Sequence, residues 1–222
     1  TYLVENFKSL IGNQNLGRAL WNSFRNSSVL TILCLLVCSL AGYGFEVYHD
    51  KAKDIVFTIL LTAMMVPFAA IMIPMFRMFS QMKMVNTMAA FMLPSISTPF
   101  MIMMFDGALQ SIDKSYYESA RMDGAGFWVQ TMKITVPAVK NIMAPAVIMT
   151  TFTTFKQFDI IYLLTQQKGA LTGATLQTII TYAHKNAFVS NNYGLSSAVS
   201  MIIFILIIVL SVFTNKGIKE EV

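Results

Sequence analysis

The 222-residue chain is strongly apolar and carries few charges. Hydrophobic residues make up 55% of it, charged residues only 12%, and the mean hydropathy is +0.60. A soluble domain carries about 25% charged residues, so this composition argues against a water-soluble globule and indicates an integral membrane protein in contact with lipid. The net charge is +5, but the basic residues are scattered between apolar blocks. That pattern is typical of membrane loops, not of a nucleic-acid-binding surface.

The opening segment, Thr1–Ser27, is polar to amphipathic. The apolar side chains that share one helical face are Leu16, Ala19, Leu20 and Phe24. The polar side chains on the opposite face are Arg18, Asn22 and Arg25. This pattern predicts a helix that lies in the membrane interface. No basic region followed by an apolar core opens the chain, so no signal peptide is predicted.

Five apolar runs follow, and each approaches the length of about 20 residues that a membrane-spanning helix needs. The runs are Ser28–Phe45, Ile55–Phe76, Met88–Phe105, Ile142–Leu164 and Leu195–Phe213. Pro67 and Pro74 predict a kink in the second run, whereas Pro94 and Pro99 predict a broken third helix that faces protein. We therefore expect an all-α, polytopic membrane bundle that forms one domain over residues 1–222.

The segment between the last two runs, Thr165–Gly194, predicts a second amphipathic helix. The residues that share its apolar face are Leu176, Ile179, Ile180, Ala183 and Ala187. Elsewhere, Cys34 and Cys38 lie one helical turn apart inside an apolar run, which suits neither a disulfide nor a complete metal site. We interpret both cysteines as packing residues and predict no metal site.

A long polar stretch, 113–137, separates the third and fourth runs. Asp113 is placed to cap a helix through its carboxylate, and Gly124 is placed to end that helix in a left-handed conformation. A second short helix is predicted from Phe127. The expected product is an amphipathic helix–glycine turn–helix at the membrane surface, either with a partner or as an interfacial loop without one.

This stretch resembles the EAA loop of permease subunits of binding-protein-dependent ABC importers. The resemblance is carried by Glu118-Ser119-Ala120, by Gly124 after three residues, and by Ile134-Thr135-Val136-Pro137 after nine more. Ser119 and Val136 depart from the usual Ala and Leu, and both changes preserve the shape. Asp123-Gly124-Ala125 is similar to the form found in the carbohydrate branch, to which the maltose permeases belong. Met65-Val66-Pro67 and Leu93-Pro94 also resemble that branch, and Asn22-Ser23 resembles a recurrent Asn-Ser of the family.

The resemblance implies transport of a sugar or oligosaccharide rather than covalent chemistry, so the chain is not expected to be an enzyme. The residues implied in coupling to an ATPase are Glu118, Ser119, Ala120, Asp123, Gly124, Ala125, Ile134 and Pro137. The implied partners are ABC ATPase subunits, a second and homologous permease subunit, and an extracytoplasmic solute-binding protein. No cofactor is expected in this chain, because ATP and Mg would bind the ATPase. The expected location is the prokaryotic cell membrane, and the family usually has one more span ahead of the position of Thr1.

The fourth run carries the candidate substrate pathway. Its candidate residues are Thr150, Thr154, Gln157 and Asp159. Ionisable residues in a span usually face a cavity or a partner, and hydroxyls and amides suit a sugar. An equally open interpretation is structural, because Lys156 and Asp159 lie three residues apart and would pair with each other on a helix.

Two other functions remain open at this point. One is an ABC importer permease for another solute, such as a peptide, phosphate or a metal. The other is a membrane scaffold or channel subunit without ATP coupling, which would not co-purify with an ATPase.

Overall fold

The computed structural model describes residues 2–11, 14–47, 51–85, 87–165 and 176–219, which form helices joined by turns, with no strand in these ranges. The helices are α1 (Tyr2–Ile11), α2 (Gln14–Val47), α3 (Lys51–Ala63), α4 (Phe68–Gln81), α5 (Met88–Met92), α6 (Pro99–Gln110), α7 (Lys114–Met122), α8 (Phe127–Gln130), α9 (Val136–Phe155), α10 (Asp159–Thr165), α11 (Ile179–Phe188) and α12 (Tyr193–Lys219). A short π-helical segment, Thr131–Thr135, joins α8 to α9. The all-α prediction is confirmed.

Two helices are long and apolar enough to cross a membrane, namely Leu16–Val47 and Tyr193–Val212. Two helix pairs meet the same test only when each pair counts as one bent span: α3 with α4, and Phe127–Lys140 with Ile142–Leu164. The first and fifth predicted runs therefore correspond to clear spans, the second and fourth belong to bent helix pairs, and the third is the broken run.

The first span is longer than its apolar run. Gln14–Val47 is one continuous helix. The prediction of an interfacial helix that extends to Ser27 was therefore wrong, and only α1 is separate from the span. Asn22, which the pattern placed on the polar face with Arg18 and Arg25, is buried. Asn22 Nδ2 donates to Gln177 O at 3.1 Å, and Ser23 Oγ accepts from the Ile179 amide at 2.8 Å. These two side chains hold the start of α11 against α2.

The second apolar run is broken more sharply than a kink. The axes of α3 and α4 differ by 105°, and Pro67 stands at the break as the extended residue that precedes α4. A proline disfavours helical backbone at the residue before it, which ends the incoming turn. Pro74, by contrast, lies inside α4 without ending it. The run is therefore two helices, and only one of its prolines breaks it.

The third run is broken as predicted. Its two helices, α5 and α6, are separated by residues 93–98, and Phe91 and Met101 are fully buried on either side of that gap. Burial against neighbouring helices is the condition under which irregular backbone is tolerated at membrane depth.

The fourth run was predicted as one helix from Ile142 to Leu164, and this was wrong. α9 ends at Phe155 and α10 begins at Asp159. Neither proline nor glycine occurs at this break, so the sequence carries no strong breaker there.

The buried side chains form three clusters. The first joins α1, α2, α11 and α12 around Leu10, Ile179 and Val199. The second contains Leu30, Phe79, Ala90, Phe91, Ile160, Ile161, Leu164 and Leu176. The third contains Cys34, Cys38, Met101, Ile102, Phe105, Ala108, Met143 and Ala146. Both cysteines are free and buried, which confirms their interpretation as packing residues.

The second amphipathic helix is confirmed as α11. Thr178 caps it with a capping box formed with Thr181, and its apolar face packs against α12 and α2. Residues 166–175 of the segment that precedes it lie outside the described part of the chain.

Candidate functional site

The candidate site is the polar loop, residues 113–137, which consists of two helical arms joined by a turn. The first arm is α7. Asp113 precedes this helix, and its carboxylate accepts from the Ser115 amide at 2.9 Å. The same Ser115 backbone and hydroxyl donors lower the pKa of the exposed Asp113 carboxyl below its ordinary value, because they stabilise the charged form. The predicted cap is therefore confirmed.

α7 ends in a Schellman motif. The Ala125 amide donates to Ala120 O at 2.8 Å, and the Gly124 amide donates to Arg121 O at 3.0 Å. Gly124 takes φ +77°, the left-handed conformation that glycine reaches without a steric cost. The helix stop predicted at Gly124 is confirmed.

The second arm begins at Gly126 and runs through α8 and the π-helical segment into α9. Gln130 Nε2 donates to Ala125 O at 2.7 Å, which fixes the start of this arm to the turn. Pro137 lies in the first turn of α9, where its missing N–H is tolerated. The chain passes from the loop into the fourth run without interruption at this proline.

Two contacts join the arms to each other and to the bundle. The Tyr117 hydroxyl and Thr135 Oγ1 lie 2.9 Å apart in a hydrogen bond, and Thr135 is buried. Phe127 and Tyr43 make an edge-on ring contact with centroids 6.3 Å apart, which links α8 to α2. Sequence reasoning missed both contacts. Their partners are separated by 18 residues in one case and by far more in the other, so no local pattern could have found them.

The outer surface of the loop is apolar as well as charged. Met122 and Trp128 are 83% and 72% exposed, and Tyr116 and Met132 are also exposed. Exposed aromatic and methionine side chains beside charged ones are typical of protein–protein interfaces. We call the exposed face of residues 113–137 the loop surface.

The eight residues implied in coupling lie on the two arms of the loop, which the Tyr117–Thr135 hydrogen bond joins. Five of them are exposed: Glu118, Ser119, Asp123, Gly124 and Pro137. Three are half-buried: Ala120, Ala125 and Ile134. The exposed members are accessible to another chain, whereas the half-buried ones are only partly accessible.

The Asp113→Ala substitution is expected to fray the first turn of α7, because the Ser115 amide loses its acceptor. Hydrogen exchange at residues 115–117 should be faster than in the wild type. Asp113→Asn is the matched control, since an amide oxygen also caps a helix.

The Asp113 cap should also depend on pH in a defined direction. Because the folded pKa of Asp113 is lowered, the stabilisation is present above the unfolded pKa of about 3.9 and is lost as the pH falls through the folded value. The ratio of wild-type to Asp113→Asn exchange rates should therefore rise below about pH 4. A ratio that stays constant to pH 2 would contradict the prediction.

The predicted pathway residues are only partly brought together. Thr150 Oγ1 donates to Met101 Sδ at 3.2 Å, and Thr154 Oγ1 donates to Thr150 O at 2.7 Å. Both hydroxyls are thus used within the bundle. Gln157 Nε2 donates to Ser95 Oγ at 2.9 Å across the bundle, so the gap between α9 and α10 faces the gap between α5 and α6.

The pairing of Lys156 with Asp159 on a helix was wrong. Lys156 is the residue that closes α9, and Asp159 is the first residue of α10. Both are exposed, and the described contacts include no ion pair between them. The break turns the two side chains out of helical register, which removes the geometry that pairing at a spacing of three requires.

Comparison with known proteins gives a family match over most of the chain. The model of the family described as "binding-protein-dependent transport system inner membrane component" matches residues 35–216. Among curated relatives, the lactose transport system permease protein LacG of Rhizobium radiobacter is 38% identical over 146 residues, which are 66% of this chain and 54% of that protein. The permease AraQ of the arabinooligosaccharides transport system of Halalkalibacterium halodurans is 26% identical over 88% of this chain and 70% of its own length. The chain thus spans roughly half to 70% of these two relatives.

Solved structures share the fold. A bacterial ABC transporter that imports the acidic polysaccharide alginate matches with a TM-score of 0.75 and 19% identity, over 97% of this chain and 83% of the other. The MetNI methionine ABC transporter in an inward-facing conformation matches with a TM-score of 0.65 and 16% identity, over 93% and 96%. At these identities the similarity establishes a common architecture.

Proposed function

Because this chain belongs to the family of binding-protein-dependent transport system inner membrane components, we propose that it is the permease subunit of an ATP-driven importer for a sugar or oligosaccharide. The observation that carries the proposal is the loop surface: an exposed two-armed helical unit, fixed to the bundle by Phe127 and continuous with α9. The names of the lactose and arabinooligosaccharide relatives support the solute class.

The loop surface is proposed to bind a separate ABC ATPase subunit. Glu118 and Asp123 provide exposed charge there, and Met122 and Trp128 provide apolar area that a protein partner would bury. ATP and Mg would bind and react on the partner, so this chain would not itself be an enzyme. The Tyr117–Thr135 hydrogen bond and the Gly124 turn would make the two arms move as one body.

Motion of the loop would reach the membrane segment through two routes. The second arm continues into α9, and Phe127 contacts α2 through Tyr43. Alternating access of this kind is rigid-body rocking of one group of helices against another. The two facing breaks beside Ser95 and Gln157 are the proposed pathway, because discontinuous helices in transporters place polar groups near the substrate.

The proposed assembly contains two ATPase subunits, this chain, a homologous second permease subunit and an extracytoplasmic solute-binding protein, in a prokaryotic cell membrane. The loop surface and the C-terminal end of α12 would then be cytoplasmic. The segment 165–194 would face the outside and meet the solute-binding protein.

Uptake into right-side-out vesicles tests the proposal directly. Vesicles that hold the complete transporter, its binding protein and ATP on the loop side should accumulate lactose, maltose or arabinotriose, and should not do so with a non-hydrolysable ATP analogue. An ATPase should co-purify with the chain. Accumulation of methionine but of no sugar would contradict the solute class. Sugar passage that is independent of ATP, with no ATPase recovered, would favour a channel instead.

A further inference from the structure

Four aromatic side chains form a continuous group of ring contacts between α10 and α11. Phe158 stacks on Tyr162 with centroids 4.9 Å apart and ring planes 20° apart. His184 contacts both of these rings, at 4.9 and 4.7 Å, and Phe188 lies 4.7 Å from His184. We call Phe158, Tyr162, His184 and Phe188 the aromatic platform. Phe158 immediately precedes α10, and its carbonyl accepts from the Tyr162 amide at 2.8 Å. The two rings of each pair are four residues apart, a spacing that places both on one helical face.

The aromatic platform is open on one side. Phe188 is 70% exposed and Tyr162 36%, whereas Phe158 and His184 are half-buried. The opposite face of α10 is fully packed, since Ile160, Ile161 and Leu164 belong to the second buried cluster. Within the described part of the chain, the core on this side is therefore filled by the opposite face of α10, and Phe188 and Tyr162 retain exposed ring area.

Polar groups flank the rings. Lys156 and Asp159 are exposed at the break on which Phe158 lies, and Gln157 beside them binds Ser95 across the bundle. A site with aromatic walls and a few polar groups at its edge is the usual composition of a small-ligand site. Aromatic residues that only anchor a protein at the membrane interface do not require a lysine, a carboxylate and an imidazole beside them.

The platform lies at the end of α9 that is remote from the loop surface. The helix from Ile142 to Phe155 alone rises about 20 Å, and the loop precedes it while α10 follows it. A solute that arrives from the side opposite the loop surface would therefore reach this end of the bundle first.

We propose that the aromatic platform is a carbohydrate-binding subsite at the outer mouth of the pathway. This inference rests on the proposed function and adds the place where the sugar is first held. The C–H face of a pyranose or furanose ring is apolar and stacks on an aromatic ring, while its hydroxyls suit the Asp159 carboxylate, the Lys156 ammonium and the imidazole of His184. The exposed rings contribute contact area and the charged groups at the break contribute hydrogen bonds.

Saturation-transfer NMR on the full transporter in nanodiscs, without binding protein, tests the subsite. The probes are lactose, maltose and arabinotriose, and methionine serves as the non-sugar comparison. We expect saturation transfer to at least one sugar and none to methionine. In the double variant Tyr162→Leu/Phe188→Leu, the affinity for that sugar should fall about tenfold, as expected when two ring contacts are lost.

Two further variants separate binding from folding and from general aromatic effects. Tyr162→Phe/Phe188→Trp keeps both rings and should retain binding. Trp21→Leu/Phe24→Leu removes another exposed ring pair, with centroids 6.4 Å apart on α2, and should also retain it. Equal sugar affinity in the wild type and in Tyr162→Leu/Phe188→Leu overturns the subsite. So does equal loss in the Trp21→Leu/Phe24→Leu control.

Uptake measured in parallel distinguishes the two proposals. Vesicles that accumulate a sugar although no ring-dependent binding is seen contradict the aromatic platform alone. Wild-type vesicles that accumulate none of the three sugars contradict the proposed function, and the subsite with it.

Discussion

The Gly124→Val substitution is expected to reduce ATP-driven uptake about 5- to 30-fold while leaving the chain inserted in the membrane. Gly124 has φ +77°, and an L-residue there costs roughly 1–2 kcal/mol, which corresponds to that range in an equilibrium constant. A Cβ at this position would meet no atom within 4 Å. The penalty is therefore one of backbone conformation, and it would be relieved by rotating α7 away from α8.

Gly126→Ala is the matched control for this substitution. Gly126 lies two residues further along the same turn, has φ −70° and is also free of close neighbours. It should support uptake within about twofold of the wild type, since no left-handed backbone is required. Glu118→Lys should also impair uptake, because it inverts an exposed charge on the loop surface without a change of backbone. If Gly124→Val transports at the wild-type rate, the two arms do not need to hold their relative orientation.

Most of the backbone of the loop was predictable from the sequence, because the residues that determine it act on their near neighbours in the chain. Asp113 and Gly124 act on the backbone within a few residues of themselves, one by capping and the other by its left-handed conformation. The bounds of the first helix follow from these two residues, and the second helix begins at Phe127 as predicted. The hydrogen bond between Tyr117 and Thr135 was not predictable in the same way, because it depends on how the two arms fold back on each other.

Breaks in the membrane segments were predictable only where proline makes them. Pro67 stands at the end of one helix, Pro94 lies in the gap between α5 and α6, and Pro99 is the first residue of α6. The break before Asp159 has no such residue. The one local signal there is an acidic side chain in the first turn of α10, which is favourable at a helix start. Inside an apolar run, that carboxylate was interpreted as a pathway residue or a partner of Lys156 rather than as the beginning of a helix.

The orientation of Asn22 shows the limit of an amphipathic pattern. A helix that is partly surrounded by other helices has more than one buried direction. Asn22 binds the Gln177 carbonyl just before α11, while Leu16 and Ala19 pack in the first cluster among residues of α1, α11 and α12. A polar side chain is acceptable in the buried direction when it finds a partner. The pattern cannot show that the partner, the Gln177 carbonyl, will be 155 residues away.

The second large effect is expected at Gly42. Among the glycines in the described part of the bundle, this one lies closest to the backbone of another helix. At Gly42 of α2, a Cβ would lie 2.7 Å from Phe105 Cβ, 3.0 Å from the Asp106 amide nitrogen and 3.2 Å from Ile102 O of α6. Two of these three atoms belong to the backbone and the third is fixed to it, so no side-chain rotation can make room. Small residues allow membrane helices to approach this closely.

Gly42→Val is therefore expected to force α2 and α6 apart and to destabilise the fold by about 3 kcal/mol or more, at the upper end of overpacking effects. The yield of monodisperse protein and its thermal midpoint in detergent measure this. Gly44→Ala, two residues along the same helix, has no atom within 4 Å of its new Cβ and should be neutral or stabilising by up to about 1 kcal/mol. Equal thermal midpoints for the two variants would contradict the crossing at Gly42. A lower thermal midpoint in Gly42→Val alone would show that α2 packs against α6 at this glycine. The same helix contacts the polar loop through Tyr43.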